Sequence, residues 1–162
     1  MAIYLEQEAS EVEASFATQR RAEILGLRLL SASLKSNPKL EGLSYPLELE
    51  VGFRVVSTEV QGRTLAVTID FTLSATDSSR PPLRAYRIRC AIQASYELEA
   101  EFEPTQAQLS AFAGANVIFN AWPYFREFAH SSAQRLGLLE APVIPFLKMI
   151  PKLPAAATPS SD

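Results

Sequence analysis

The chain of 162 residues holds one cysteine, Cys90, and one histidine, His130. A single cysteine excludes an internal disulfide. One Cys and one His are too few ligands for a Cys/His zinc cage or a two-histidine metal centre. Nucleophilic catalysis through a Cys–His or Ser–His pair would have to run through His130 itself. Long apolar runs are also missing, since nothing approaches the 18 or more residues, by rough count, of a spanning helix. Positive charge is not in excess: 15 Lys and Arg stand against 18 Asp and Glu, a formal charge of -3. Bulk electrostatics therefore give no general attraction for phosphate backbones or anionic membranes. Neither nucleic-acid binding nor membrane insertion is expected. The stretch from Met1 to Glu13 has no Lys or Arg and no apolar core, unlike a secretory signal, so the expected address is cytoplasmic.

What is present is a globular composition. Hydrophobic residues make up 48% and charged ones 20%, with mean hydropathy +0.04, and the length suits one domain over 1–162. Ser10-Glu11-Val12-Glu13 has the S-x-x-E form of a capping box, and no Gly or Pro follows before Glu23. A short N-terminal helix in an extension over 1–22 is the expectation. From Ile24 to Leu34, Leu25, Leu27 and Leu29 alternate and predict a first strand, closed by the turn-forming Ser36-Asn37-Pro38. The connection to Pro46 carries Leu40, Leu43 and Tyr45, unexpectedly apolar for a surface segment.

Alternation then becomes plain. Leu47, Leu49, Val51, Phe53 and Val55 share one face against Glu48, Glu50 and Arg54. After the turn at Gln61-Gly62, Leu65, Val67, Ile69, Phe71 and Leu73 repeat the pattern, which predicts an antiparallel hairpin. A third run, Tyr86 to Phe102, puts apolar residues including Cys90 opposite Arg87, Arg89, Gln93, Glu97, Glu99 and Glu101. At about 3.3 Å per residue it would reach ~55 Å, so a bend or bulge is expected. The remainder has helical spacing. Thr105 to Gln108 forms a T-x-x-Q capping box for a short helix ending near Gly114, and a longer helix runs from about Asn116 to Leu136 with Gly137 as its C-terminal cap. Its apolar surface is wide, through Ile118, Phe119, Trp122, Tyr124, Phe125 and Phe128, and calls for cover on more than one side. Pro123 predicts a kink or a late start. A Pro-rich tail follows Pro142, with 152–162 expected to be flexible.

Chemistry-bearing patterns are thin. Glu127-x-x-His130 has the form of a carboxylate di-metal half-site, but the second histidine is missing. His130 lies beside Ser131 and Ser132, yet helix neighbours point in different directions and no orienting acid is evident. No catalytic residue and no metal ligand is assigned. The run Glu97, Glu99, Glu101 is more specific, because same-face like charges cost stability unless solvent or a partner compensates. The fold class is α+β: a four-stranded antiparallel sheet with a short and a long C-terminal helix on one face and a short N-terminal helix. A competing reading is a small-molecule carrier or enzyme on the concave sheet face, with Asp70 or a Glu as acid–base group.

The segment Ile118 to Glu127, containing Pro123-Tyr124-x-Arg126-Glu127, resembles the P-Y-x-R-E signature of SecB-type chaperones. The order of strands, apolar crossover and helices, and an R-x-G-L continuation through Arg135 to Pro142, are similar to that family from about Arg21 to Pro145. The resemblance implies an ATP-independent holdase for unfolded preproteins or antitoxin polypeptides, assembled as a homotetrameric dimer of dimers, with no cofactor. Carried over by position, it makes Leu40, Leu43, Tyr45, Phe119, Trp122, Phe125, Val143, Ile144 and Phe146 candidates for client contact. It makes Glu48, Glu50, Glu97, Glu99 and Glu101 candidates for docking a partner such as the SecA motor. The sequence after Pro145 and the N-terminal extension depart from export-type SecB and look more like its solitary or toxin–antitoxin-associated relatives.

Overall fold

The computed structural model describes residues 2–38, 43, 46–79, 82–136 and 142–152. The elements run β1 (Ala2–Gln7), α1 (Ala9–Gln19), β2 (Ala22–Ser36), β3 (Glu48–Gln61), β4 (Thr64–Asp77), β5 (Leu83–Leu98), α2 (Gln106–Phe112), α3 (Ile118–Arg135) and β6 (Phe146–Pro151). Strands β2 to β5 form an antiparallel sheet in the order β2-β5-β4-β3. Helices lie on one face of it, the architecture anticipated from the alternation and its change to helical spacing.

Hydrophobic patterning sets the faces. Leu65, Val67, Ile69, Phe71, Leu73 and Ala75 of β4 stand directly beside Tyr96, Ala94, Ile92, Cys90, Ile88 and Tyr86 of β5, and all are buried. Across the β3–β4 turn, Gln61 pairs with Thr64, and only the first loop residue, Gly62, has a positive φ (59°). That is the pattern of a type II′ turn, which a glycine enters without steric cost. On the inner face Phe125 stacks on Phe71 at 4.7 Å between centroids, and Trp122 meets Phe53 and Phe71 edge-on. Tyr96 packs against Phe112 and its hydroxyl accepts a hydrogen bond from Asn120 Nδ2 at 3.1 Å. The wide apolar girth of α3 is thus partly spent within the chain.

Several expectations change. The N-terminal helix is capped by Glu8, with Glu11 returning its carboxylate to the Glu8 amide, so the box lies two residues before Ser10 and Glu13. The segment before it is a strand: β1 runs parallel to β6, pairing Ala2 with Phe146 through Gln7 with Pro151. The extension and the post-Pro145 segment therefore complete one another. Gly114 does not end a helix. Residues 113–117 form a π-helical turn joining α2 to α3, and the small side chains of Ala113, Gly114 and Ala115 fit its wider coil. Pro123 sits inside α3, one turn from its start, where the missing N–H removes one helical bond without ending the helix. The long third run stops at Leu98, because Glu99–Glu101 turn the chain away and Glu101 takes a positive φ of 66°. Gly137 and most of the 152–162 tail lie outside the described residues.

Candidate functional site

Strand β2 has the composition of a buried strand without the cover. Its register places Ile24, Leu27, Leu29, Ala32 and Leu34 beside the buried Tyr96, Ala94, Ile92, Cys90 and Ile88 of β5, on the same face of the sheet. Yet Leu29 is 49% exposed and Leu34 39%, because the helices lie over β3, β4 and β5 and stop short of this edge. Two bulges, at Leu25 and Leu30, insert an extra residue each. This corrects the simple Leu25-Leu27-Leu29 alternation: Leu25 is the bulged residue, and Ile24 takes its place on the inner face. Bulges at an edge increase twist and resist indiscriminate pairing. The opposite edge repeats the arrangement on a smaller scale, with Val55 and Val60 half exposed on the inner face and Val56 as the bulge residue. The helical layer is therefore flanked by two apolar margins.

A second concavity lies in the lobe made by the added N-terminal elements. Gln7, Val12, Ser15, Phe16, Asn116, Met149 and Ile150 line a space of about 310 Å³ between α1, the π-helical turn and β6. Ser15 Oγ donates to Asn116 Oδ1 at 2.6 Å, which ties α1 to that turn. Sequence reasoning missed this lobe. An isolated six-residue strand whose parallel partner lies at the other end of the chain leaves no hairpin signal.

The candidate client residues separate by burial. Trp122, Phe125 and Ile144 are core residues, 3%, 0% and 3% exposed. Phe119, Val143 and Phe146 are exposed, and Leu43 is half-buried against the core. Leu40 and Tyr45 lie outside the described residues. The signature residues hold the C-terminal segment. Trp122 Nε1 donates to the Pro145 carbonyl at 3.0 Å, Arg126 Nε donates to the Ile144 carbonyl at 3.0 Å, and the Arg126 guanidinium lies 4.4 Å above the Phe146 ring. Fully exposed segments rarely receive two such anchors, and the pair fixes where β6 begins.

The five candidate docking glutamates fall in separate places. Glu97 lies on the outer face of β5 and pairs with Arg63 at 3.2 Å. Glu99 and Glu101 belong to the turn beyond it. Glu48 and Glu50 sit on β3 opposite Thr76 and Ser74, at the other end of the sheet, about 35 Å from Glu97 at the usual rise per residue. The single acidic strip expected from alternation is absent because β5 ends at Leu98.

Burial, assisted by the Asp70 charge, pushes the Cys90 thiol up to about 12. Burial also raises the Tyr96 phenol, against the opposing effect of its Asn120 hydrogen bond. Cys90 is therefore a packed thiol and not an activated nucleophile. Among the described residues no group of three or more His, Cys, Asp and Glu is gathered that could hold a metal, and no helix is long and apolar enough to cross a membrane.

No protein-family model matches the chain. Two curated relatives, the SecB-like chaperones Rv1957 and MT2006 from two strains of Mycobacterium tuberculosis, are each 26% identical over 156 residues, covering 87% of this chain and 86% of theirs. Among solved structures, the Mycobacterium tuberculosis Rv1957 SecB-like chaperone in complex with a ChAD peptide from the Rv1956 HigA1 antitoxin superposes with a TM-score of 0.71 at 19% identity. The match covers 85% of this chain and 99% of that one. The resemblance carried by the P-Y-x-R-E segment is borne out in sequence and in fold.

Proposed function

We propose that this chain, SecB-like in sequence and in fold, is an ATP-independent chaperone that holds extended apolar polypeptide segments. The observation that carries the reading is the uncovered inner margin of β2, whose Ile24, Leu29 and Leu34 continue the core face into open surface. Exposed apolar surface of that continuity marks an interaction site. A SecB-like chaperone of the same fold is solved with an antitoxin peptide, which supports a polypeptide as the occupant. Phe119, Val143, Phe146 and Leu43, with Leu40 and Tyr45 of the crossover segment, contribute to the client path above Trp122, Phe125 and Ile144.

The protein acts in the cytoplasm as a homotetramer built as a dimer of dimers, without catalysis. The two long edge strands β2 and β3, without an outer neighbour among the described residues, and the exposed Phe119 and Tyr124 of α3 supply surfaces for assembly. Its clients are antitoxin-type or other cytosolic polypeptides rather than proteins delivered to SecA. Two observations favour this: the candidate docking glutamates are split between opposite ends of the sheet, and the segment after Pro145 forms β6. The test is suppression of aggregation of a reduced, denatured client without ATP, with light scattering for the assembly mass. Aggregation that proceeds unchanged at molar excess of the chain would reject the holdase reading, and a monomer mass at micromolar concentration would reject the tetramer.

A further inference from the structure

The outer face of the sheet distributes its cations unevenly. Towards one end each arginine has a partner: Arg28 donates to Gln93, Arg54 pairs with Asp70 and Arg63 with Glu97. At the other end Lys35 of β2 stands directly opposite Arg87 of β5, with Arg89 two residues along the same strand. Like charges directly opposed in a sheet are destabilising. The neighbours on β4 do not relieve them, since Thr72, Ser74 and Thr76 face Arg89, Arg87 and Arg84 with small hydroxyls. Glu50 and Glu48 lie one strand further, on β3, and among the described residues no ion pair joins them to this group. Arg87 Nε is buried and has no hydrogen-bond partner among the described residues. Such an atom costs free energy unless something supplies an acceptor. Lys35, Arg84, Arg87 and Arg89 line a half-open concavity of about 660 Å³, with Asn37 and Pro38 at its rim where the crossover segment departs.

We propose that this concavity is a binding site for a carboxylate-rich stretch of polypeptide, distinct from the apolar margin of the inner face. The reasoning rests on the chain being a polypeptide binder and extends it to a second, electrostatic contact. The spacing favours an extended chain over a single compact anion. Arg84 to Arg89 span about 16 Å along β5, and Arg87 and Arg89 repeat at the two-residue period with which an extended peptide presents alternate carboxylates. The Arg87 side chain lines the concavity, and a planar guanidinium matches a carboxylate in two-point geometry. Small hydroxyl neighbours on β4 leave room for the peptide to lie flat. A client would thus be held by apolar side chains on one face and by acidic ones on the other.

The test is anisotropy of a rhodamine-labelled alternating Glu–Gly peptide with the full chain, beside its Gln–Gly counterpart. The Glu–Gly peptide should bind, the Gln–Gly peptide should not, and Arg87→Gln with Arg89→Gln should weaken binding by about tenfold or more, with a shallower salt dependence. Arg89→Gln alone, at an exposed side chain, should give a smaller loss and guards against a folding defect in the double variant. Absence of Glu–Gly binding, or equal affinity in wild type and both variants, would overturn the proposal. Displacement by inorganic phosphate at an ionic strength where chloride has no effect would also overturn it, in favour of a phosphate-group site. Suppression of aggregation of an uncharged apolar client, measured on the same preparations, should not change in the variants. If wild type fails that assay yet binds the Glu–Gly peptide through Arg87, the holdase reading falls while this site stands.

Discussion

Strands β2 and β5 are neighbours with matching inner-face registers, yet their inner faces have opposite fates. In β5 every inner position from Tyr86 to Leu98 is buried, while in β2 the residues beside them are mostly open. The apolar content differs little, so burial here is decided by what lies above the strand. Helix α3 packs over β4 and β5, with Trp122 and Phe125 on Phe71 of β4 and Trp122 also against Phe53 of β3. Where the cover stops, apolar side chains that continue the core face stay open to solvent.

That contrast can be broken most severely from the covered side. Phe125→Ala removes the ring stacked on Phe71 and should cost about 3–5 kcal/mol in urea unfolding; a loss below about 1 kcal/mol would mean α3 does not seal the sheet. On the uncovered side, Leu29→Ser with Leu34→Ser should leave far-UV circular dichroism unchanged while abolishing most aggregation suppression or lowering the assembly mass. If both activities survived, the margin of β2 would be inert. Trp122→Phe keeps the ring against Phe53 and Phe71 but loses the bond to Pro145, and should cost about 1–2 kcal/mol. The C-terminal segment should then exchange its amides faster.

Gentler perturbations sharpen the same line. Cys90 and Tyr96 are both held in their protonated forms by burial on the β5 inner face. Their folded pKa values are raised, so the folded state retains protons that the unfolded chain releases. This contribution is complete at neutral pH and is lost as pH rises past about 9 towards about 12. Unfolding midpoints should fall over that window, less steeply in Cys90→Ala. The smallest effect belongs to the outer face: Arg54→Ala breaks an ion pair whose arginine side chain is 76% exposed, and should change stability by less than about 0.5 kcal/mol.

Period-two alternation made β3, β4 and β5 legible, because each buries one face and exposes the other to water. The T-x-x-Q box at Thr105–Gln108 was equally direct, with Gln108 N donating to Thr105 Oγ1 and Gln108 Oε1 accepting from Thr105 N. What escaped were features with no local signature. The bulges at Leu25 and Leu30 are visible only against a partner's register. The continuity of α2 and α3 was hidden because Gly114, an apparent stop, takes a right-handed conformation within the π-helical turn. The candidate site was half legible: apolar surplus on α3 pointed to exposed Phe119 and Tyr124, but Trp122 and Phe125 are buried against the sheet. The acidic run misled, since a row of alternating glutamates reads the same whether the strand continues or turns. The cations at Arg84, Arg87 and Arg89, which form no ion pair among the described residues, went unremarked because charge counting does not show which charges have partners.

The parallel β1–β6 ribbon sets an order of assembly in time. Ala2 pairs with Phe146, so β1, made before the other described strands, waits for more than 140 further residues before it gains its hydrogen-bond partner. During that interval the antiparallel sheet can close through its neighbouring β3–β4 and β4–β5 connections, and helix α3 can settle on it, before Trp122 and Arg126 receive residues 144–146. The ribbon is then the final latch, and it joins a lobe whose cavity walls come from both ends of the chain. A nascent chain stalled before residue 146 would carry a finished sheet beside an unfinished pocket.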